Sequence, residues 1–162
     1  MFYGGRLASH LSGDDPDDSL DDFISLRRLN RRGVIVIDSD RSTKGSRINN
    51  TKKRLKSEFD EGPGYTWVTQ GREIENYLPA DQVREAISKT KPSAKPSSSF
   101  GQFENVLAIK TKGGKKSQAS KVAVARHLTE TFEPDHQILD LGKQVRCLIG
   151  FIEKSNMSNM KQ

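Results

Sequence analysis

The hydrophobic pattern of this chain begins with an uninterrupted β-branched run and continues at helical spacing. Val34-Ile-Val-Ile37 is typical of a strand buried on both faces of a parallel sheet. Apolar residues then recur at Ile48, Leu55 and Phe59, and Gly62-Pro63 predicts the end of that helix. A strand, a loop and a helix in this order predict an α/β fold.

The same pattern predicts a second strand and three more helices. Residues 65–68 form the next strand, and Pro79 can open a short helix that carries Val83 and Ile87. Two C-terminal helices follow, one from about Ser120 and one strongly amphipathic; their apolar positions are Val124, Leu128 and Phe132, then Ile138, Leu141, Val145, Leu148, Ile149 and Ile152.

The remaining segments carry weaker signals. Residues 1–4 predict a short strand, an acidic loop runs on through Asp22, and residues 23–29 predict a short helix. Residues 89–99 are rich in Lys, Pro and Ser and predict a flexible linker. We therefore expect a core over residues 1–88, a linker over 89–99, and a basic loop with C-terminal helices over 100–162.

Composition is compatible with one domain that has a modest core. The 162 residues are 33% hydrophobic, with a mean hydropathy of -0.72. No stretch approaches the roughly 20 apolar residues of a membrane span, and the N-terminus lacks a signal-peptide profile, so we expect a cytoplasmic protein. The single cysteine, Cys147, excludes an internal disulfide, and its apolar helical surroundings predict a buried thiol.

Charge is distributed unevenly along the chain, although its net value is only +6. Acidic residues crowd positions 14–22, and the rest is basic. Two basic clusters stand out: Arg41, Lys44, Arg47, Lys52, Lys53, Arg54 and Lys56, and then Lys110, Lys112, Lys115, Lys116 and Lys121. Either cluster alone fits a solvated surface equally well, but basic surface beside an acidic site suits a nucleic-acid substrate.

Acidic residues follow both predicted strands. Asp38 and Asp40 come directly after the first strand, and Glu73 and Glu75 follow the second. Residues two apart in an extended chain point to the same side, so Asp38 and Asp40 can converge on one cation. Such ligands suit Mg²⁺ or Mn²⁺, which can promote phosphodiester cleavage, and a nearby lysine could neutralise the scissile phosphate.

An alternative interpretation is a phosphatase of the haloacid-dehalogenase type. Asp38-x-Asp40-x-Ser42 after a hydrophobic strand is similar to the first motif of that family, in which the first aspartate is the nucleophile and the second a general acid. The family also needs a late acidic pair for Mg²⁺. The later half of the chain offers only Asp135 and Asp140, without an apolar strand before them.

Three motifs together point to a more specific family. Residues 3–7 (Tyr-Gly-Gly-Arg-Leu), 36–41 (Val-Ile-Asp-Ser-Asp-Arg) and 72–78 (Arg-Glu-Ile-Glu-Asn-Tyr-Leu) resemble, in order and spacing, the Toprim nuclease domain of OLD-family (overcoming lysogenization defect) ATP-dependent endonucleases. The similarity covers most of residues 1–90 and, more loosely, the C-terminal helices. It implies a small parallel Rossmann-like sheet flanked by helices, a divalent-metal site at the strand ends, and a role in phage defence.

The resemblance also implies roles for individual residues. Asp38 and Asp40 correspond to metal ligands, and Glu75, with Glu73 second, to the acidic residue of the third motif. Lys121 is the best match to a downstream catalytic lysine, and Lys115 or Lys116 is the alternative. The candidate DNA contacts are Arg41, Lys44, Arg72, Lys115 and Lys116. Asn76 and Tyr77 are expected to set the geometry of the acidic loop.

One departure from the family concerns its first acidic motif. Toprim domains begin with a strand that ends in a glutamate, yet no glutamate precedes Glu58 here. The ATPase region of the family is absent too. We therefore expect the chain to be the C-terminal portion of a larger enzyme, inactive or weak alone, with DNA, the upstream segment and a second copy of the chain as candidate partners. The alternative is a non-catalytic module that binds DNA or a partner.

Overall fold

The computed structural model of the protein describes residues 32–159. The strand, acidic loop and helix expected within residues 1–31 lie outside this range. Within it, the chain forms five β-strands, four α-helices and one 3₁₀-helix, which confirms the predicted α/β class. The described residues group into two compact units: one draws on residues 32–37, 47–68 and 145–159, the other on residues 38–46 and 69–144.

The first unit contains a parallel pair of strands. β1 (Val34–Ile37) and β2 (Tyr65–Val68) pair in register, with Val34 opposite Tyr65. Helix α1 (Asn50–Asp60) connects them, and Leu55 and Phe59 on this helix pack with Ile35 and Ile37 in a small core. Both predicted strands and the helix are thereby confirmed.

The burial of β1 differs from the prediction. Ile35 and Ile37 are buried, but Val36 is 47% exposed, so among the described residues β1 is covered on one face only. The β-branched run reflects strand propensity at Val36 rather than burial there, because β-branched residues favour strands on either face.

Local signals explain the ends of α1. The Asn49 side chain accepts a hydrogen bond from the Lys52 backbone N–H at 2.8 Å and caps the helix, so Ile48 precedes the helix instead of belonging to it. Just before β2 the chain makes a close approach at Gly64, where a Cβ would lie 2.4 Å from the Phe59 carbonyl oxygen.

The second unit combines two helices with a small antiparallel sheet. A 3₁₀-helix (Ile74–Tyr77) leads into α2 (Ala80–Thr90), as the Pro79 signal predicted. Strands β3 (Lys95–Pro96), β4 (Ala108–Lys110) and β5 (Lys116–Gln118) follow, and then α3 (Lys121–Thr131). The apolar core of this unit comprises Val83, Ala86, Ile87, Ala94, Val106, Leu107, Ile109, Ala119, Val124 and Leu128.

The segment predicted as a linker is part of this second unit. Residues 89–99 contain the end of α2, the buried Ala94 and strand β3. The Ala94 backbone N–H donates to the Lys91 carbonyl at 2.9 Å, and the Ser97 N–H donates to the Ala108 carbonyl at 3.0 Å. Backbone hydrogen bonds thus order a stretch whose composition predicted flexibility, and the two units do not follow the expected divisions at residues 88 and 99.

The last helix, α4 (Leu141–Asn159), is the amphipathic helix predicted from the sequence. Cys147 on this helix is exposed, so the prediction of a buried thiol is wrong. Ile149 and Ile152 are half exposed as well, so the described residues leave these two apolar positions of α4 partly uncovered. No helix in the described part of the chain combines the length and apolar character needed to cross a membrane.

Candidate active site

The turn that follows β1 is anchored by a buried serine. The Ser39 backbone N–H donates to Thr69 Oγ1 at 2.8 Å, and Ser39 Oγ donates to the Gly71 carbonyl at 2.6 Å. Ser39 is only 2% exposed, whereas Asp38 is partly exposed and Asp40 is exposed. The serine therefore fixes the backbone between the two carboxylates.

Sequence reasoning did not single out Ser39 or Thr69 as functional residues. A serine between two aspartates directly after a strand was the available signal, because a polar residue at a buried strand end needs a hydrogen-bond partner. That partner, Thr69, lies directly after β2, and its hydroxyl also donates to the Gly71 carbonyl at 3.0 Å.

Asp40 does not continue the extended conformation of β1. Its φ is +53°, in the left-handed region, and its backbone N–H donates to the Arg72 carbonyl at 2.9 Å. Aspartate tolerates this region better than most residues do. The premise of an extended chain through Asp40 is therefore not met, because the chain turns there; the shared role of Asp38 and Asp40 at one cation stays a prediction.

Asp38 is held against the second acidic segment. Its Oδ1 accepts a hydrogen bond from the Ile74 backbone N–H at 2.8 Å. Burial raises the pKa of Asp38, and repulsion from Glu75 and Glu73 adds to the rise, while the Ile74 hydrogen bond and the charge of Lys121 oppose it. The raised pKa of Asp38 thus reflects first its burial and then its position beside other negative charges.

Glu73 and Glu75 share one lysine. Lys121 Nζ lies 2.8 Å from Glu75 Oε1 and 3.4 Å from Glu73 Oε2. The two glutamate side chains are only 16% and 13% exposed, whereas that of Lys121 is 49% exposed. The other carboxylate oxygen of Glu75, Oε2, is buried and has no hydrogen-bond partner within the described residues. Lys121 thus ties the two acids together and leaves one buried oxygen unsatisfied.

The N-terminus of α3 positions this lysine. Lys121 is the first residue of the helix, and the Ser120 side chain caps it by accepting from the Ala123 backbone N–H at 3.3 Å. Burial on its own would lower the pKa of Lys121, but the hydrogen bond to Glu75 and the attraction of Glu75, Glu73 and Asp38 outweigh it and raise that pKa. The ammonium is therefore stabilised in its charged form.

Asn76 shapes the acidic loop, as the sequence indicated. Its Oδ1 accepts from the Glu73 backbone N–H at 2.8 Å, closing a capping box at the start of the 3₁₀-helix. Its Nδ2 donates to the carbonyls of Gly101 at 3.1 Å and Glu104 at 2.9 Å. One buried amide therefore connects the segment that carries both glutamates to the loop at residues 101–104.

Tyr77 completes this support from the other end of the 3₁₀-helix. Its hydroxyl accepts from the Gln70 backbone N–H at 2.8 Å and donates to Asp140 Oδ1 at 2.5 Å. Asp140 Oδ2 in turn accepts from Gln144 Nε2 at 2.7 Å. Both oxygens of Asp140 are thus engaged by protein donors, which weighs against the late metal-binding role that the phosphatase alternative requires.

The candidate DNA-contacting residues have different surroundings. Arg72 Nε lies 3.4 Å from Glu73 Oε1 and so partly offsets the acidic charge. The Arg41 backbone N–H donates to Ser39 Oγ at 3.2 Å, which ties Arg41 to the Asp38–Asp40 turn. Lys44 is exposed, as are Lys115 and Lys116 on the β4–β5 hairpin. Lys121, rather than Lys115 or Lys116, is the lysine that contacts the glutamates.

An apolar cavity adjoins Glu75 and Lys121. It has a volume of about 360 Å³ and is lined by Ile74, Leu78, Leu107 and Val122, with Glu75 and Lys121 among its wall residues. Ile74 and Val122 are exposed to solvent as large hydrophobic residues. The glutamate–lysine pair therefore borders an apolar surface that is open to solvent.

The donor set fits a hard divalent cation in kind. Asp38, Glu73 and Glu75 supply carboxylate oxygens, which Mg²⁺ and Mn²⁺ prefer, and Glu75 Oε2 is a buried acceptor without a partner. Across residues 32–159, however, no three His, Cys, Asp or Glu side chains are grouped so that they could hold a metal ion as they stand. Positive charge beside the glutamates is supplied instead by Lys121, which contacts both, and by Arg72, which contacts Glu73.

Comparisons of the chain with protein-family models, with curated proteins and with solved structures find no match. Function must accordingly be inferred from the residues of the site.

Proposed function

We propose that this chain is the Toprim-like portion of a Mg²⁺- or Mn²⁺-dependent DNA endonuclease of the OLD type. The observation that carries the proposal is the Glu73–Glu75–Lys121 cluster, with distances of 2.8 and 3.4 Å, and Asp38 within its electrostatic reach. The chain reaches Asp38 directly from β1 and the glutamates shortly after β2, two neighbouring parallel strands. The region beyond the carboxyl ends of parallel strands is where open α/β sheets commonly bind their ligands.

Each residue of the site has a role in this proposal. Asp38, Asp40 and Glu75 hold the cation, with Glu73 as a further ligand, and the cation supplies positive charge for phosphodiester hydrolysis. Lys121 remains protonated, since its neighbours raise its pKa, and its charge is available to stabilise the phosphate in the transition state. The Ile74 hydrogen bond fixes one oxygen of Asp38, so that its other oxygen has a defined direction.

DNA is the proposed substrate. Exposed lysines on the β4–β5 hairpin, Lys115 and Lys116, together with Lys44, suit backbone phosphates, which carry most of the affinity in such complexes. Arg41 and Arg72 stand next to the acidic residues, where they can orient a phosphate near the cleavage site.

The full enzyme, in this proposal, also contains an ATPase region and a Toprim strand that ends in a glutamate, as the family resemblance implies. A further acid facing Asp38 would complete the ligand set, for which residues 32–159 provide no closed cluster. Cleavage by this chain alone is therefore expected to be slow, and its expected partner is a second copy or the ATPase-bearing segment that the family resemblance implies.

A plasmid-nicking assay tests the proposal. Supercoiled DNA is incubated with excess protein and Mn²⁺, and we expect slow nicking that EDTA abolishes. Asp38→Asn and Glu75→Gln should each reduce the nicking rate by about 100-fold, the size of effect seen when a group that stabilises the transition-state charge is lost. Asp81→Asn, an exposed acid on α2, is the matched control and should nick at the rate of the unaltered protein. Nicking that survives both site substitutions would overturn the assignment.

The second candidate function is a non-catalytic module that binds DNA or a partner. It is favoured by the Lys121 contacts, which already neutralise much of the acidic charge without a metal. DNA binding by the unaltered protein with no Mn²⁺-dependent nicking, even at equimolar enzyme and DNA, would support this module instead of the nuclease.

A further inference from the structure

Lys121 stands where a cation is needed. The acidic site brings three carboxylates, from Asp38, Glu73 and Glu75, into mutual electrostatic contact. Such like charges raise the free energy of the folded protein unless a cation compensates them. The ammonium of Lys121 supplies that compensation through its two glutamate contacts at 2.8 and 3.4 Å.

The oxygens that Lys121 uses are those that a metal would need. Glu75 Oε1 and Glu73 Oε2 both face the ammonium, whereas Glu75 Oε2 is buried and has no hydrogen-bond partner among residues 32–159. An ammonium is monovalent and offers three N–H donors, while Mg²⁺ and Mn²⁺ take six oxygen ligands in octahedral geometry. One lysine therefore satisfies this site only in part, and it occupies space that a cation would share.

The side chain of Lys121 is also able to leave. It is 49% exposed, in contrast to the two largely buried glutamates, and it sits at the first position of α3 on a flexible four-carbon stem. Withdrawal of the ammonium requires only side-chain rotation into solvent, because the capping bond of Ser120 holds the helix itself.

We propose that Lys121 is an internal cation that competes with a divalent metal for Glu73 and Glu75. It occupies the acidic site in the metal-free protein, and it is displaced toward solvent, where a phosphate would approach, when Mg²⁺ or Mn²⁺ binds. The inference rests on the proposed function, since it takes a divalent cation as the ligand of this site. It adds that the lysine limits metal affinity, so that the site loads only at sufficient metal concentration.

The competition is measured without DNA, by titrating Mn²⁺ into the protein and counting the unbound Mn²⁺ by its electron paramagnetic resonance signal. Lys121→Met keeps a long side chain but removes the charge, and we expect it to bind Mn²⁺ at least 10-fold more tightly than the unaltered protein. Lys89→Met removes one exposed lysine from α2 of the same unit and should leave the Mn²⁺ affinity within about 2-fold. Glu75→Gln, with Lys121 retained, should weaken Mn²⁺ binding at least 10-fold.

A folding measurement covers the case in which Lys121→Met is unstable. Uncompensated carboxylates can unfold the metal-free variant, and Mn²⁺ should then restore folding, as followed by circular dichroism, while an equal ionic strength of KCl should not. Unchanged or weaker Mn²⁺ binding by a folded Lys121→Met, or an unfolded variant that Mn²⁺ fails to restore, would overturn the competition. Such a result, together with Mn²⁺-dependent nicking by the unaltered protein, would leave the nuclease assignment in place. Tighter Mn²⁺ binding by Lys121→Met, with no nicking by the unaltered protein, would support the competition and contradict the nuclease assignment.

Discussion

Asp38 is the residue at which function and stability conflict most directly. Burial and its acidic neighbours raise its pKa, so its charged form is disfavoured in the folded protein. Because the folded-state pKa lies above that of the unfolded chain, the stabilising contribution of Asp38 is complete below its ordinary value of 3.8 and is lost as the pH rises through the folded-state pKa. The ionised carboxylate that a metal site requires is thus a destabilising element at neutral pH.

We therefore predict that Asp38→Asn stabilises the protein at neutral pH. Asparagine retains an acceptor for the Ile74 N–H and removes the negative charge that burial and the glutamates disfavour. The free energy of unfolding should therefore rise by up to about 1 kcal/mol, because solvent screens a partly exposed charge and keeps the effect small. Urea unfolding at about pH 7 and about pH 4.5 is the measurement, and the gain should be larger at the higher pH.

The control for this substitution is Asp81→Asn in the first turn of α2, where an acid is favoured by the helix dipole, so the control should lose stability slightly. A loss of stability in Asp38→Asn at neutral pH would contradict the electrostatic account of the site.

Asn76 allows a second prediction at the residue scale. Its buried amide makes three hydrogen bonds to backbone groups, and truncation to alanine leaves those groups unsatisfied. Asn76→Ala should lower the free energy of unfolding by roughly 2–4 kcal/mol, more than a single ordinary hydrogen bond would account for. Asn105→Ala is the matched control, because the Asn105 side chain accepts one bond, from the Leu107 N–H, and its loss should cost about 1 kcal/mol. Equal losses in chemical denaturation of the two variants would show that Asn76 does not organise the loop.

At the scale of elements, the sequence predicted what local pattern encodes. Helices α1, α2 and α3 carry buried apolar residues at helical spacing. Their N-cap residues are Asn49, Pro79 and Ser120, which are residue types common at helix starts. Strands β1 and β2 combine strand-forming residues with turn signals. These elements were predictable because the information lies within a dozen consecutive residues.

The antiparallel sheet was not predictable in the same way. Strand β5, Lys-Ser-Gln, is exposed at all three positions and shows no alternation of apolar and polar residues, and β3 has only two residues. Both exist through pairing with β4, whose Ile109 enters the core. The Lys121–Glu75 contact is similarly non-local. The sequence identified both residues as candidates, but their contact at 2.8 Å depends on the position of the capped start of α3.

The close approach at Gly71 gives a prediction at this scale. A Cβ on Gly71 would lie 2.6 Å from the Asn76 Cβ and 3.1 Å from the Gln102 carbonyl oxygen, so the loop after β2 has no room for a side chain. Gly71→Ala should lower the free energy of unfolding by about 1–3 kcal/mol, which is the usual cost of overpacking. Gly113→Ala, in the hairpin turn with open space around it, should leave stability almost unchanged. The comparison is made by urea denaturation, and a neutral Gly71→Ala would mean that the loop relaxes freely.

Charge is the property that belongs to the whole molecule. The net charge of +6 is made of acidic residues crowded near the N-terminus and basic residues elsewhere, with exposed lysines on the β4–β5 hairpin. In the proposed function, the acidic site opposes DNA unless a cation or Lys121 compensates its charge, whereas the exposed lysines of the hairpin should attract DNA at any metal concentration. Binding to DNA and cleavage should therefore be separable.

The separation is tested by the salt dependence of DNA binding. Each phosphate neutralised by a lysine contributes about -0.9 to the slope of log affinity against log salt concentration. Replacing Lys115 and Lys116 together by alanine should make the slope less steep by about 2 in fluorescence-anisotropy titrations, since each lysine releases its own counterions. Lys89→Ala should leave the slope unchanged, and Asp38→Asn should leave it unchanged while slightly tightening binding. If the hairpin variant keeps the original slope, β4 and β5 do not form the DNA-binding surface. The phosphate contacts would then be assigned to Arg41, Lys44 and Arg72 beside the acidic site.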